Sequence, residues 1–218
     1  MSRAISCWQQ RGRRANASRS AACRSAASSS CSAVDFLNVD TVLLKRLYIL
    51  VFIEHGTRRM HLGGVTANPT GEWTVQQARN LGMSLGERFE DIRFLIRDRG
   101  SNFTRSFVSR LFQATGARIL RTAAVQAPRM NAICERLAGT LRRELPDRML
   151  ILGERHLRAV LADYQAHYNM ARPHQGIAQR VPDGEHDAPR ATVTGVDTQH
   201  IRRKPVLGGL INEYTHAA

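Results

Sequence analysis

The chain has 218 residues, with 32 Lys+Arg against 18 Asp+Glu, giving a net charge of +14 at pH 7 and a pI of about 11.1. That length suits one ordinary domain with tails, and no apolar run is long enough to cross a bilayer. The positive surplus favours a polyanionic partner, most often a nucleic acid; the plainer reading is a ribosome-like or merely basic protein.

Residues 1–33 carry Arg3, Arg11, Arg13, Arg14, Arg19 and Arg24, many Ser and Ala, and no acid. Without a useful apolar period they read as disordered. Three roles fit: a basic arm touching phosphates, a transit-peptide-like leader, or non-native sequence joined to a truncated gene, the last being favoured. Cys7, Cys23, Cys31 and Cys134 form no C-x-x-C pair and have no His at zinc-finger spacing, so free thiols in a reducing cytoplasm are expected.

From Val34 the texture changes. Val34–Val39 predicts a short strand, and Leu47–Ile53 is almost wholly apolar, as in a strand covered on both faces. His55-Gly56 marks a turn, and Thr57–Thr66 alternates loosely as a third strand. Asn68-Pro69-Thr70-Gly71 starts a helix with Val75, Ala78, Leu81 and Leu85 on one face. Ile92–Arg97 predicts the next strand, Phe103 to Leu111 a second helix, and Ala117–Arg121 a fifth strand. A third helix starts near Asn131, and a fourth covers about 155–170, with Leu157, Val160, Leu161, Tyr164 and Tyr168 in one stripe. The order β-β-β-α-β-α-β-α-α predicts an α/β fold: a mixed five-stranded sheet flanked by helices.

Three carboxylates draw interest. Asp98 follows the apolar strand in FLIRDRGSNF, at a carboxyl end, where open α/β sheets place their chemistry. Such an acid is costly to bury alone and calls for a cation. Asp35 lies inside the first strand between Val34 and Phe36; Asp40, its competitor, reads as strand exit. Glu135, in NAICERLAGTLRREL, lies about 200° around the helix from Ile133 at roughly 100° per residue. The stripe Ile133, Leu137, Leu141 and Leu145 would pack on the sheet, leaving Glu135 over small Ala138 and Gly139 on the side shared by Arg142.

DRGSNF at 98–103, NAICERLAGTLRREL at 131–145 and HYNMARPHQGI at 167–177, in that order, resemble the integrase catalytic core of insertion-sequence transposases and retroviral integrases. The resemblance covers about residues 34–177. It implies a ribonuclease-H-like fold and an Asp–Asp–Glu triad, carried over as Asp35, Asp98 and Glu135. It also implies two Mg²⁺ or Mn²⁺ ions, with Asp35 bridging both, Asp98 completing one site and Glu135 the other. Water would nick the element's end, and the freed 3′-hydroxyl would attack target DNA without a covalent protein intermediate. The implied partners are the element ends, target DNA and further copies of the chain; the implied setting is cytoplasmic and nucleoid-associated.

Arg97, Arg99, Arg129, Arg142 and Arg143 are the candidate phosphate contacts, which position DNA without reading sequence. His167 and His174 suggest metal ligation, but core or surface histidines are expected. Residues 178–218 form a basic tail containing Ile201-Arg202-Arg203-Lys204, able to add a strand or touch DNA. Two departures bear on activity: 36 residues separate Asp98 from Glu135, slightly more than usual in the family, and residues 1–33 do not resemble a helix-turn-helix. The alternatives are a ribonuclease-H-like nuclease that cleaves without joining, and a truncated remnant that only binds DNA.

Overall fold

The computed structural model describes residues 31–86, 88, 91–97, 118–121, 132–184 and 201–216. Its strands are β1 (Cys31–Asp40), β2 (Arg46–Glu54), β3 (Met60–Thr66), β4 (Phe94–Arg97), β5 (Arg118–Arg121), β6 (Ile201–Val206) and β7 (Ile211–His216). Its helices are α1 (Gly71–Leu85), α2 (Ala132–Glu144) and α3 (Glu154–Met170). The expected second helix, Phe103 to Leu111, lies outside the described residues.

β1 to β5 hydrogen-bond in the order β3-β2-β1-β4-β5. The β1–β2 and β2–β3 pairs are antiparallel, while β1–β4 and β4–β5 are parallel. The short turns after β1 and β2 permit the antiparallel pairs; parallel partners need longer crossovers. β1 therefore sits at the centre of the sheet. It begins at Cys31, inside the stretch read as disordered, because Cys31, Ser32 and Ala33 are buried and continue the register with β4. Five of the seven described strands make up this mixed sheet, and the tail forms its own hairpin, β6–β7. Leu207, Leu210 and Ile211 pack that hairpin on the main core.

The sheet is covered on both faces, which explains the continuous apolar run of β2. On one face Val34, Leu50, Phe52 and Leu95 pack against Val75, Ala78 and Leu81 of α1. On the other, Ala33, Leu37, Ile49 and Val51 meet Cys134, Leu137 and Leu141 of α2 and Leu157, Leu161 and Tyr164 of α3. Leu137, Leu141 and Leu145 are buried as the expected stripe has them, Cys134 joins them, and Ile133 is half-buried against the same core. Thr70 caps α1, its Oγ1 accepting from the Trp73 N–H at 3.2 Å, and Gly86, at φ 54°, ends it.

Strand β3 ends the sheet, and side chains of α3 cover its open edge. Asn169 Oδ1 accepts from the Met60 N–H and its Nδ2 donates to the Met60 carbonyl, both at 2.9 Å. Gln165 Oε1 accepts from the Leu62 N–H at 3.0 Å, and Arg158 donates to the Val65 carbonyl. Outward-facing backbone groups recur every second residue along a strand; the step from Leu62 to Val65 absorbs the bulge where the β2–β3 register shifts. Unpaired edge groups invite foreign strands, so this row of polar side chains closes that route.

Cys31 is disulfide-bonded, against the expectation of free thiols, whereas Cys134 is free and buried. No helix among the described residues is long and apolar enough to cross a membrane.

Candidate active site

Asp35 occupies the central strand, between Val51 on one side and the β1–β4 pairing on the other. Alternation along β1 puts it on the face of Ala33, Leu37 and Val39, which α2 covers. It is half-buried, and its Oδ1 accepts from the Phe36 N–H at 2.8 Å. Asp40, its competitor in the sequence, is exposed at the strand's exit and pairs with Arg46 at 2.9 Å. A bidentate surface pair accounts for Asp40 fully.

Glu135 is exposed on α2, next to the buried Cys134. Burial pushes the Cys134 thiol well above its ordinary range, and the negative charges of Asp35 and Glu135 push it further. Because α2 packs on the face of β1 that Asp35 shares, the two carboxylates lie on the same side of the sheet, one on the strand and one on the helix. The protonated thiol itself is a poor ligand, because only the thiolate binds metals.

Asp98 lies outside the described residues, as do Arg99 and Arg129. The last described residue of β4, Arg97, pairs with Val34, the residue before Asp35. Among the described residues no group of three His, Cys, Asp or Glu side chains forms a metal cluster.

The arginines divide. Arg97, expected at phosphates, is only 3% exposed. Alternation along β4 puts Arg97 on the face of Leu95, which packs with α1, so it is buried on the side of the sheet away from Asp35 and does not present a surface to DNA. Arg142 and Arg143 are exposed. Arg142 Nη2 donates to Asn38 Oδ1 at 3.0 Å, which ties the end of α2 to β1 three residues beyond Asp35. Arg143 lies back along α2: a Cβ on Gly139 would stand 3.3 Å from its Nη1. At roughly 100° per residue, Glu135, Gly139 and Arg142 share one flank of α2.

The HYNMARPHQGI stretch is structural. Tyr168 is buried, Asn169 clamps β3, and Arg172 forms an ion pair with Glu144. Burial opposes the charged form of Glu144, but hydrogen bonds from Arg172 and the Tyr164 hydroxyl outweigh it and hold the carboxyl below its ordinary value. His167 Nδ1 lies 2.9 Å from Glu213 and fastens the β6–β7 hairpin to α3, while His174 packs against Tyr168 with ring centroids 4.5 Å apart and the planes tilted by 56°. Neither histidine belongs to a metal cluster among the described residues. Sequence reasoning missed Asn38 and Cys134, since neither residue type signals a site until helix and strand are docked.

Residues 118–182 match the family model of the integrase core domain. No curated protein matches. A chain of the simian T-cell lymphotropic virus intasome, solved in complex with PP2A regulatory subunit B56 gamma, aligns at a TM-score of 0.54 and 12% identity. That alignment covers 85% of this chain and spans 66% of the viral one. The HTLV-2 integrase catalytic core domain, solved as a dimer in complex with magnesium, aligns at a TM-score of 0.49 and 12% identity, covering 74% of this chain and 97% of that one. The match to the integrase core domain model is thus confined to residues 118–182, and the chain as a whole shares its fold with a chain of that intasome.

Proposed function

We propose that this chain acts on DNA as the catalytic core of a transposase or integrase, cleaving a DNA strand and joining its 3′-hydroxyl to a target strand. The observation that carries the reading is the placement of Asp35 on the central strand, on the face that α2 covers, with Glu135 on α2 itself. In an enzyme of this kind the carboxylates, drawn from separate segments, have to meet on one face of the sheet.

The donor set suits a divalent cation. Asp35 and Glu135 offer hard carboxylate oxygens, the half-buried Asp35 is steadied by the Phe36 N–H, and the exposed Glu135 leaves an approach from solvent. Asp35, Asp98 and Glu135 would hold Mg²⁺ or Mn²⁺, which supplies charge neutralisation at the phosphodiester and activates the attacking oxygen. Around it, Arg142, fixed by Asn38, sets a guanidinium on the Glu135 flank, where it steers backbone phosphates. Arg143 adds a second positive charge beside Gly139. The small side of Gly139 keeps that flank low enough for a DNA strand to approach Glu135. Joining two ends at one target calls for more than one copy of the chain, with DNA as the common partner.

The test is a plasmid nicking and joining assay with Mn²⁺, comparing the unaltered chain with Asp35→Asn and Glu135→Gln. Each substitution should lower both reactions by at least about a hundredfold, since even outer-shell partners of metal ligands cost 10–100-fold. Nicking that survives both substitutions would sink the proposal.

A further inference from the structure

A cleft of about 370 Å³ opens on the other side of α2. Its walls include Ile53, Arg58, Arg136, Tyr168, Arg172 and His174. At roughly 100° per residue, the helix positions facing it, Ile133, Arg136 and Thr140, lie about 100–160° around from Glu135. The cleft is therefore separate from the carboxylate flank.

Its charge is one-sided. No carboxylate lines it among the described residues. Arg172 is already paired with Glu144, but Arg58 and Arg136 make no ion pair among the described residues. Arg58 is half-buried and is held at φ 64°, a backbone region costly for a residue with a side chain. Burial lowers its pKa, and the positive charge of Arg136 lowers it further. Gly176 makes room for it: a Cβ there would stand 3.0 Å from the Arg58 Nε. His174 adds a polar atom in need of company, because its Nε2 is buried without a hydrogen-bond partner. Two guanidinium forks that repel one another, in a cleft that no described carboxylate lines, are what an oxyanion would satisfy.

We propose that this cleft binds a phosphate group, with Arg58 and Arg136 donating to its oxygens beside His174. The phosphate is either a free ion or part of a nucleic-acid backbone, and the net charge of +14 suits the second source. The site does not depend on the carboxylate assignment, and its test uses no catalysis.

The experiment titrates the full chain with sodium phosphate against sodium chloride at matched ionic strength, following thermal unfolding and calorimetric binding. Phosphate should raise the midpoint of the unaltered chain above the chloride control. Arg58→Gln with Arg136→Gln should weaken phosphate binding by roughly ten- to a hundredfold. Gly176→Ala changes no charge yet crowds Arg58, so it should weaken phosphate as well, which guards against a double variant that folds poorly. Binding to a random-sequence DNA duplex then separates the sources. A backbone phosphate in the cleft predicts that the Arg variants flatten the salt dependence by about 0.9 for each phosphate they no longer neutralise; an unchanged slope with abolished phosphate binding identifies the free ion. If phosphate stabilises the unaltered chain no more than chloride does, or stabilises the double variant equally, the site does not exist.

Discussion

Asn169→Ala should cost more stability than any other polar substitution on α3. The side chain is 4% exposed and makes two hydrogen bonds to one residue, from the Met60 N–H and to the Met60 carbonyl, each at 2.9 Å. Met60 is itself fully buried, so water cannot replace the missing amide without opening the edge of β3. Removing one partner of a buried hydrogen bond costs about 1–3 kcal/mol for each group left unpaired. Two backbone groups are orphaned, and some relaxation is expected, so a loss of about 2–4 kcal/mol follows. Gln165→Ala, which breaks only the 3.0 Å bond to the Leu62 N–H at a half-buried position, should cost about 1 kcal/mol. Urea unfolding followed by circular dichroism measures both, with the denaturant slope checked for constancy. A loss below about 0.5 kcal/mol for Asn169→Ala, in the range of an ordinary surface substitution, would show that α3 does not close the sheet edge.

Further expectations rest on other parts of the fold. Gly63→Ala should destabilise by about 1–3 kcal/mol through overpacking, since a Cβ there would stand 2.9 Å from Leu50 Cδ2 and 3.0 Å from the Phe52 ring; urea midpoints test this. Glu54 and Glu144 both have folded pKa values below the ordinary glutamate value: burial works against the charged form, and hydrogen bonds from His61 and Thr57, or from Arg172 and Tyr164, outweigh it. Their stabilisation is therefore complete above that ordinary value and is lost as pH falls through it toward the folded values. Unfolding midpoints measured from neutral pH downward should show this acid loss, and Tyr164→Phe should shrink it by removing one donor to Glu144. Arg142→Gln should weaken DNA binding about equally across sequences, as for a phosphate contact, and a change in sequence preference would contradict that role.

Much of the framework was legible because it rests on local chemistry. The apolar run of β2 signals a strand covered on both faces, and Thr70 caps α1 where Asn68-Pro69 stops the preceding segment. Asp35 stood out over Asp40 because an acid between Val34 and Phe36 needs a reason, and Arg46 supplies a plain one for Asp40. The α2 stripe was legible in Leu137, Leu141 and Leu145, but not the fully buried Cys134 that completes it, since a lone cysteine carries little apolar signal. Arg97 was misplaced for a related reason. A charged residue beside a turn reads as surface, and only the packing on the Leu95 face of the sheet buries it. The β3 edge cover and the cationic cleft were beyond sequence reasoning. Arg58, Arg136 and His174 come from three segments with no shared spacing, and they meet only when α2 and α3 dock on the sheet.

Binding of Mn²⁺, followed by electron paramagnetic resonance and competed with Mg²⁺, probes the carboxylate site without requiring knowledge of any DNA end. The unaltered chain should bind the ion and release it to magnesium, and Asp35→Asn, Asp98→Asn and Glu135→Gln should each weaken binding at least about tenfold. Equal Mn²⁺ affinity in all four proteins, with each variant folded, would mean that these acids do not gather around a metal, and the reading of the chain as a DNA strand-transfer core would fall.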